Sequence, residues 1–123
     1  MKHKNKLIMI LIMVLLAVAT WWLTRDDDAI AGRLDNFAQC LTDRGLVMYG
    51  AEWCPHCQNQ KKAFGESFRY INYVECPQDP KRCLVAGIEG YPTWMMTNSE
   101  KLIGEQKLVD LSRASDCPLP ANF

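Results

Sequence analysis

The stretch Cys54-Pro55-His56-Cys57 constrains this chain more than any other. Pro55 suits the first turn of a helix, where its missing N–H is not needed, so the helix starts at the motif. Cys54 then stands at the helix N-terminus and Cys57 lies one turn inside, close enough to close a small disulfide ring. The first sulfur sits at the positive end of the helix dipole, where thiolate is favoured, and His56 can lend it further positive charge. A pair placed in this way is suited to exchanging electrons.

The segments around the motif read as one small domain of alternating elements. Leu34, Phe37, Ala38 and Leu41 recur at helical spacing, with Gly45 as a stop, and Leu46 to Tyr49 is an apolar run of strand length. A helix from Pro55 to Phe64 follows the motif. Arg69 to Glu75, carrying Tyr70, Ile71, Tyr73 and Val74, reads as the next strand, and Pro80 to Ala86 as a short helix ending at Gly87. Pro92 to Thr97 and Lys101 to Gly104 read as a hairpin turning at Asn98 and Ser99, and Lys107 to Ala114 as a last amphipathic helix. This order predicts an α/β fold in which helices cover both faces of a four-stranded mixed sheet.

Charge separates the front of the chain from the rest. Four of the 14 cations, Lys2, Lys4, Lys6 and Arg25, lie in the first 25 residues, whereas all 14 acids lie from Asp26 onward. Between the lysines and Arg25, Leu7 to Leu23 is uncharged and apolar, about 25 Å long as a helix, at the short end for crossing a bilayer. Trp21 and Trp22 suit an interfacial belt, and lysines before with aspartates after put the N-terminus in the cytoplasm. The expected organisation is an anchor over 1–25, an acidic linker over 26–31 and a domain over 32–123. A signal peptide is the competing reading, because Ala17-Val18-Ala19 and Ala29-Ile30-Ala31 both resemble cleavage sites. Either reading exports the domain.

Six cysteines fit export, since disulfides persist in oxidising compartments. Cys76 and Cys83 enclose Pro77-Gln78-Asp79-Pro80, so a structural bridge is the natural reading there. Cys40 and Cys117 remain by elimination, with weak geometric support, because the first and last helices of such a fold can lie on opposite faces. A zinc site joining Cys54 and Cys57 to Cys76 and Cys83 competes, but the Trp-Cys-Pro-His-Cys context and Pro92 argue against it, and no metal or other cofactor is expected.

The chain resembles thioredoxin-fold proteins from about Gly32 to Pro118. Ala51-Glu52-Trp53-Cys54 is similar to the approach to the thioredoxin active site, and Tyr91-Pro92-Thr93 to the family's cis-proline loop, which receives the substrate backbone. Tyr49-Gly50-Ala51, Gln58, Lys61, Phe64-Gly65, Tyr73-Val74-Glu75-Cys76, Ala86-Gly87-Ile88 and Gly90 to Trp94 further resemble the thioredoxin-like domain that accompanies vitamin K epoxide reductase homologues in bacteria and plants. That resemblance implies a thioredoxin fold, which here follows the one transmembrane helix read from Leu7 to Leu23. It implies a catalytic set of Cys54, Pro55, His56, Cys57 and Pro92, and client contacts at Trp53, Tyr91 and Thr93. It also implies that Cys76 and Cys83 pair, as a structural bridge or a second relay.

The implied activity is thiol–disulfide exchange on exported cysteine-containing proteins, with Cys54 forming the mixed disulfide and Cys57 resolving it. A vitamin K epoxide reductase-like enzyme in the cytoplasmic membrane would be the redox partner. The Pro-His dipeptide is similar to that of oxidising Dsb-type proteins, at about −120 mV against about −270 mV for thioredoxin. Met48 stands where thioredoxins usually carry a buried aspartate that assists proton transfer, which speaks against a fast general reductase. A reducing or isomerising relay, and a redox-inactive module that holds clients in the Pro92 groove, are the alternatives. Glu52, Lys61 and Lys62 read as solvated charges, and Tyr70, Tyr73, Met95 and Met96 as filling for the sheet faces. No basic stripe or phosphate loop points to nucleic acid.

Overall fold

A computed structural model of the 123-residue chain describes the backbone of residues 2–121 and 123, and the side chains of residues 3–22, 32–121 and 123. It divides into two compact units, residues 1–31 and 32–123. The first is a single helix, α1 (Lys2–Ala31). Its stretch His3–Trp22 is long and apolar enough to be a candidate membrane span. The side chains from Leu7 to Leu16, with Trp21 and Trp22, are exposed. Helical backbone continues through Asp26, Asp27 and Asp28 to Ala31, where composition alone predicted a linker; the side chains of that stretch lie outside the described residues.

The second unit runs α2 (Asp35–Asp43), β1 (Val47–Gly50), α3 (Pro55–Phe64), a 3-10 turn (Gly65–Tyr70), β2 (Tyr73–Glu75), α4 (Pro80–Val85), β3 (Thr93–Met95), β4 (Lys101–Ile103) and α5 (Leu108–Ser115). The sheet order is β2-β1-β3-β4. β1 pairs in parallel with β2 and antiparallel with β3, which pairs antiparallel with β4, giving the expected four-stranded mixed sheet.

Strand alternation divides the core into two clusters. Met48 and Trp94, paired across β1 and β3, are fully buried with Phe37, Leu41, Phe64 and Leu111. Tyr49 and Val74, on the opposite face, pack with Cys76 and Cys83, Ala86 and Ile88. Each large side chain taken fully out of water contributes about 1.5–3 kcal/mol, so the first cluster dominates the domain's stability. Trp94 avoids an orphaned N–H by donating to Gln60 Oε1 at 3.3 Å. The same oxygen accepts from Gln106 N at 2.7 Å, and Gln60 Nε2 donates to Gln106 O at 3.0 Å. Buried Gln60 therefore ties α3 to the approach to α5.

Two expectations need correction. The strand expected over Arg69 to Glu75 begins only at Tyr73, because the preceding residues are drawn onto α2. Ser67 Oγ donates to Asp35 Oδ1 at 2.7 Å and Arg69 Nη2 to Asp35 Oδ2 at 2.8 Å, while Thr42 Oγ1 donates to Tyr70 O at 2.7 Å. A 3-10 turn satisfies those contacts and an extended chain does not. Secondly, α2 and α5 do not lie on opposite faces. Both contribute to the Trp94 cluster, and Cys40 on α2 is bonded to Cys117 just beyond α5, across a separation of 77 residues.

Candidate active site

β1 delivers the chain to Cys54, which is the N-cap of α3 with Pro55 in the first turn. Its amide donates to Ala51 O at 3.1 Å and its carbonyl accepts from Gln58 N at 3.1 Å, so the turn is closed on both sides. Both cysteines are buried, but Cys54 keeps 6% exposure and Cys57 has none, so Cys54 is the more accessible of the two. Neither is bridged. Cys76 and Cys83 are bonded to each other, so they do not complete a four-cysteine set with this pair.

Burial pushes the Cys57 thiol up to about 11; the Ala51 backbone opposes the shift, Cys54 adds to it, and the Lys61 charge opposes it. Gly50 makes this packing possible. A Cβ there would come within 2.8 Å of Cys57 Sγ and 3.1 Å of the Tyr73 ring, so only glycine fits the end of β1.

The loop before β3 forms the other wall. The Tyr91–Pro92 peptide bond is cis, and Cys54 Sγ donates to Tyr91 O at 3.7 Å. Trp53, 69% exposed, stands edge-on to Tyr91 with ring centroids 6.2 Å apart. These two aromatic residues flank the accessible sulfur. Pro92 is fully buried, and Thr93 is buried with its hydroxyl donating to Gly90 O at 2.8 Å, so Thr93 shapes the loop and offers no side chain to a client.

His56 is exposed on the first turn of α3, with Nδ1 2.6 Å from Glu105 Oε1. Asn59 Nδ2 donates to the same oxygen at 3.0 Å. His56 and Asn59 together hold the Glu105 carboxyl below the usual carboxylate range. Glu105 follows β4 and was not among the residues singled out from sequence, since nothing local marks a loop acid 49 positions from its partner.

Lys61 is half-buried, its Nζ 4.0 Å from the Tyr73 ring centroid and 5.5 Å from that of Phe68, whereas Lys62 is exposed as expected. Glu52 is exposed, and its amide donates to Glu75 Oε1 at 2.8 Å.

A family model described as thioredoxin matches residues 30–114. The thiol-disulfide oxidoreductase LTO1 of Arabidopsis thaliana is 44% identical over 84 residues, covering 61% of this chain and 22% of that protein. A protein disulfide-isomerase of Aspergillus niger is 29% identical over 77 residues, covering 55% of this chain and 15% of that protein. The chain thus spans less than a quarter of the length of these curated relatives. Among solved structures, thioredoxin NaTrxh from Nicotiana alata aligns with a TM-score of 0.47 at 15% identity, covering 56% of this chain and 67% of that one.

Proposed function

The chain belongs to the thioredoxin family, and from that membership we propose that it is a thiol–disulfide oxidoreductase that oxidises exported proteins through Cys54 and Cys57. The observation that carries the reading is the asymmetry of the pair: Cys54 at the helix N-terminus beneath the Tyr91 carbonyl, Cys57 sealed behind it. A client thiolate attacks Cys54 Sγ of the oxidised pair; the Cys54–Cys57 bond breaks and Cys57 leaves with the electron pair. A second client thiolate then attacks the client sulfur of the mixed disulfide, the client becomes a disulfide, and Cys54 is released as thiolate. Two electrons have moved from client to protein.

Trp53 and Tyr91 supply apolar contact for an unfolded client, and the Tyr91–Pro92 loop offers backbone to an extended one. The domain is held outside the cytoplasmic membrane by the apolar helix over His3–Trp22, with its N-terminus inside. A quinone-linked membrane enzyme of the vitamin K epoxide reductase type removes the electrons. The 44% identity to LTO1, whose name states the same activity, supports the chemistry.

Cys57→Ser should trap clients on Cys54 as mixed disulfides visible on non-reducing gels, whereas Cys54→Ser should trap few. Equal trapping by both variants would reverse or abolish the assignment. Wild-type protein that stays reduced beside an active membrane partner would overturn the oxidising direction.

A further inference from the structure

The buried Cys57 thiol must exchange a proton with water each time the pair opens or closes, yet it lies at the closed end of the site. Its neighbour on the same face of β1, Met48, carries no acceptor. The register of β1 against β2 sets Met48 opposite Tyr73 and Gly50 opposite Glu75, so these four residues share one sheet face, beneath α3. Cys57 Sγ and the Tyr73 hydroxyl lie 2.8 and 3.2 Å from the point that a Gly50 Cβ would occupy. Both atoms therefore close over the Gly50 backbone and lie within about 6 Å of each other.

The Tyr73 hydroxyl donates to Glu75 Oε2 at 2.5 Å. Glu75 and Tyr73 in turn line a groove of about 490 Å³ open to solvent, together with Glu52, Lys61, Asp79 and Arg82. The charged and titratable groups facing the hydroxyl are therefore Lys61 from α3, Glu75 from β2, Glu52 from the loop after β1, and Cys57 itself. Burial, then Glu75, raises the Tyr73 phenol, so it stays protonated and passes a proton along without ionising.

We propose that Tyr73 and Glu75 conduct the proton between Cys57 and the solvent groove; this rests on the reading of Cys54 and Cys57 as the exchanging pair. When a mixed disulfide on Cys54 is resolved, the Cys57 S–H proton moves to Tyr73 Oη as the phenol proton moves to Glu75 Oε2. The Cys57 sulfur attacks Cys54 Sγ, the Cys54–Cys57 bond forms, and the bond from Cys54 to the client sulfur breaks. The client sulfur leaves as thiolate with that electron pair, and Glu75 returns its proton to water. Opening of the oxidised pair by a client runs the same path backwards, delivering a proton to Cys57 as it leaves. Glu75 acts through Tyr73 and is a positioning residue for the proton.

Reaction of the reduced full-length protein with 5,5′-dithiobis(2-nitrobenzoic acid) separates the two events. Attack by Cys54 releases a first thionitrobenzoate and resolution by Cys57 releases the second. In Glu75→Gln and Tyr73→Phe the ratio of second to first release rate should fall at least about tenfold at neutral pH and recover as pH rises and hydroxide replaces the relay. Glu75→Asp should restore part of it. A ratio within about twofold of wild type in both folded variants, across the pH range, overturns the proposal, as does parallel slowing of both releases. Wild-type protein giving no first release overturns instead the assignment of Cys54 as the attacking sulfur.

Discussion

In the proposed exchange His56 and Cys57 act on opposite ends of the Cys54–Cys57 pair, and each has a measurable consequence. The His56 imidazole faces Glu105 at 2.6 Å, so any positive charge it offers the helix N-terminus is shared with a carboxylate. His56→Ala should still lower the Cys54–Cys57 potential, by about 30 mV for each 1.4 kcal/mol by which the imidazole stabilises the reduced pair. Equilibration with glutathione reads the shift, and an unchanged potential would relegate His56 to the helix turn. Cys57 sets the pH dependence. Burial favours the protonated thiol in the folded chain, while the unfolded chain releases its proton near the ordinary 9.0. The stabilisation of the reduced protein is therefore fully present below 9.0 and is lost as pH rises to about 11. The potential should accordingly keep falling, by about 30 mV per pH unit for each proton taken up on reduction, until about pH 11. A plateau reached near neutral pH would show that Cys57 ionises with Cys54. Cys54, Cys57, His56 and Pro92 were legible in the sequence because one short motif and one proline loop carry them. The contacts of Glu105, Gly50 and the Tyr73–Glu75 pair were not, because they arise only when segments distant in sequence are folded together.

Among the elements, periodicity sufficed where a segment packs by one face and failed where a side chain ties two segments together. α2 follows its apolar spacing, α3 starts where the Cys54 motif and Pro55 put it, and Gly45, at φ 79°, takes the left-handed backbone that ends α2 beside β1. The stretch before β2 carries Tyr70 and Ile71 and reads as strand, yet Asp35 holds it in a 3-10 turn through Ser67 and Arg69, a long-range effect that no local window contains. The Cys40–Cys117 bridge was readable only by elimination for the same reason. The two structural bridges should differ in their contribution. By loop-closure entropy, the bridge closing 77 residues contributes about 4 kcal/mol and the one closing 7 about 2 kcal/mol. Urea unfolding of Cys40→Ala with Cys117→Ala, and of Cys76→Ala with Cys83→Ala, checks that order. If Cys76 and Cys83 only shape the loop before α4, the second double variant should also keep the Cys54–Cys57 potential nearly intact. A double variant that oxidises one equivalent of client but fails to turn over with the membrane enzyme would instead identify that bridge as a relay.

At the scale of the whole molecule, the two units differ in what they expose. Residues 32–123 bury Trp94, Phe37 and Leu111 in a core of their own, whereas the apolar side chains from Leu7 to Leu16 are exposed. Water opposes so much exposed apolar surface, and a hydrocarbon phase does not. A span of 20 residues over His3–Trp22 is about 30 Å long, the thickness of a bilayer core. Lys2, Lys4 and Lys6 precede the apolar run and Asp26, Asp27 and Asp28 follow it, so in the proposed topology the lysines hold the N-terminus inside and the acidic flank crosses. The protein should therefore sediment with membranes at full mass and resist extraction by high salt or carbonate. A reporter fused after Phe123 should be active only outside the cytoplasmic membrane. Replacing Lys2, Lys4 and Lys6 by Glu should reverse or scramble that topology and abolish client oxidation in the cell, while the isolated protein still exchanges disulfides. Soluble exported protein beginning at Thr20 or Gly32 would show that the apolar run is a cleaved signal, and the domain would then have to reach the proposed membrane partner by diffusion.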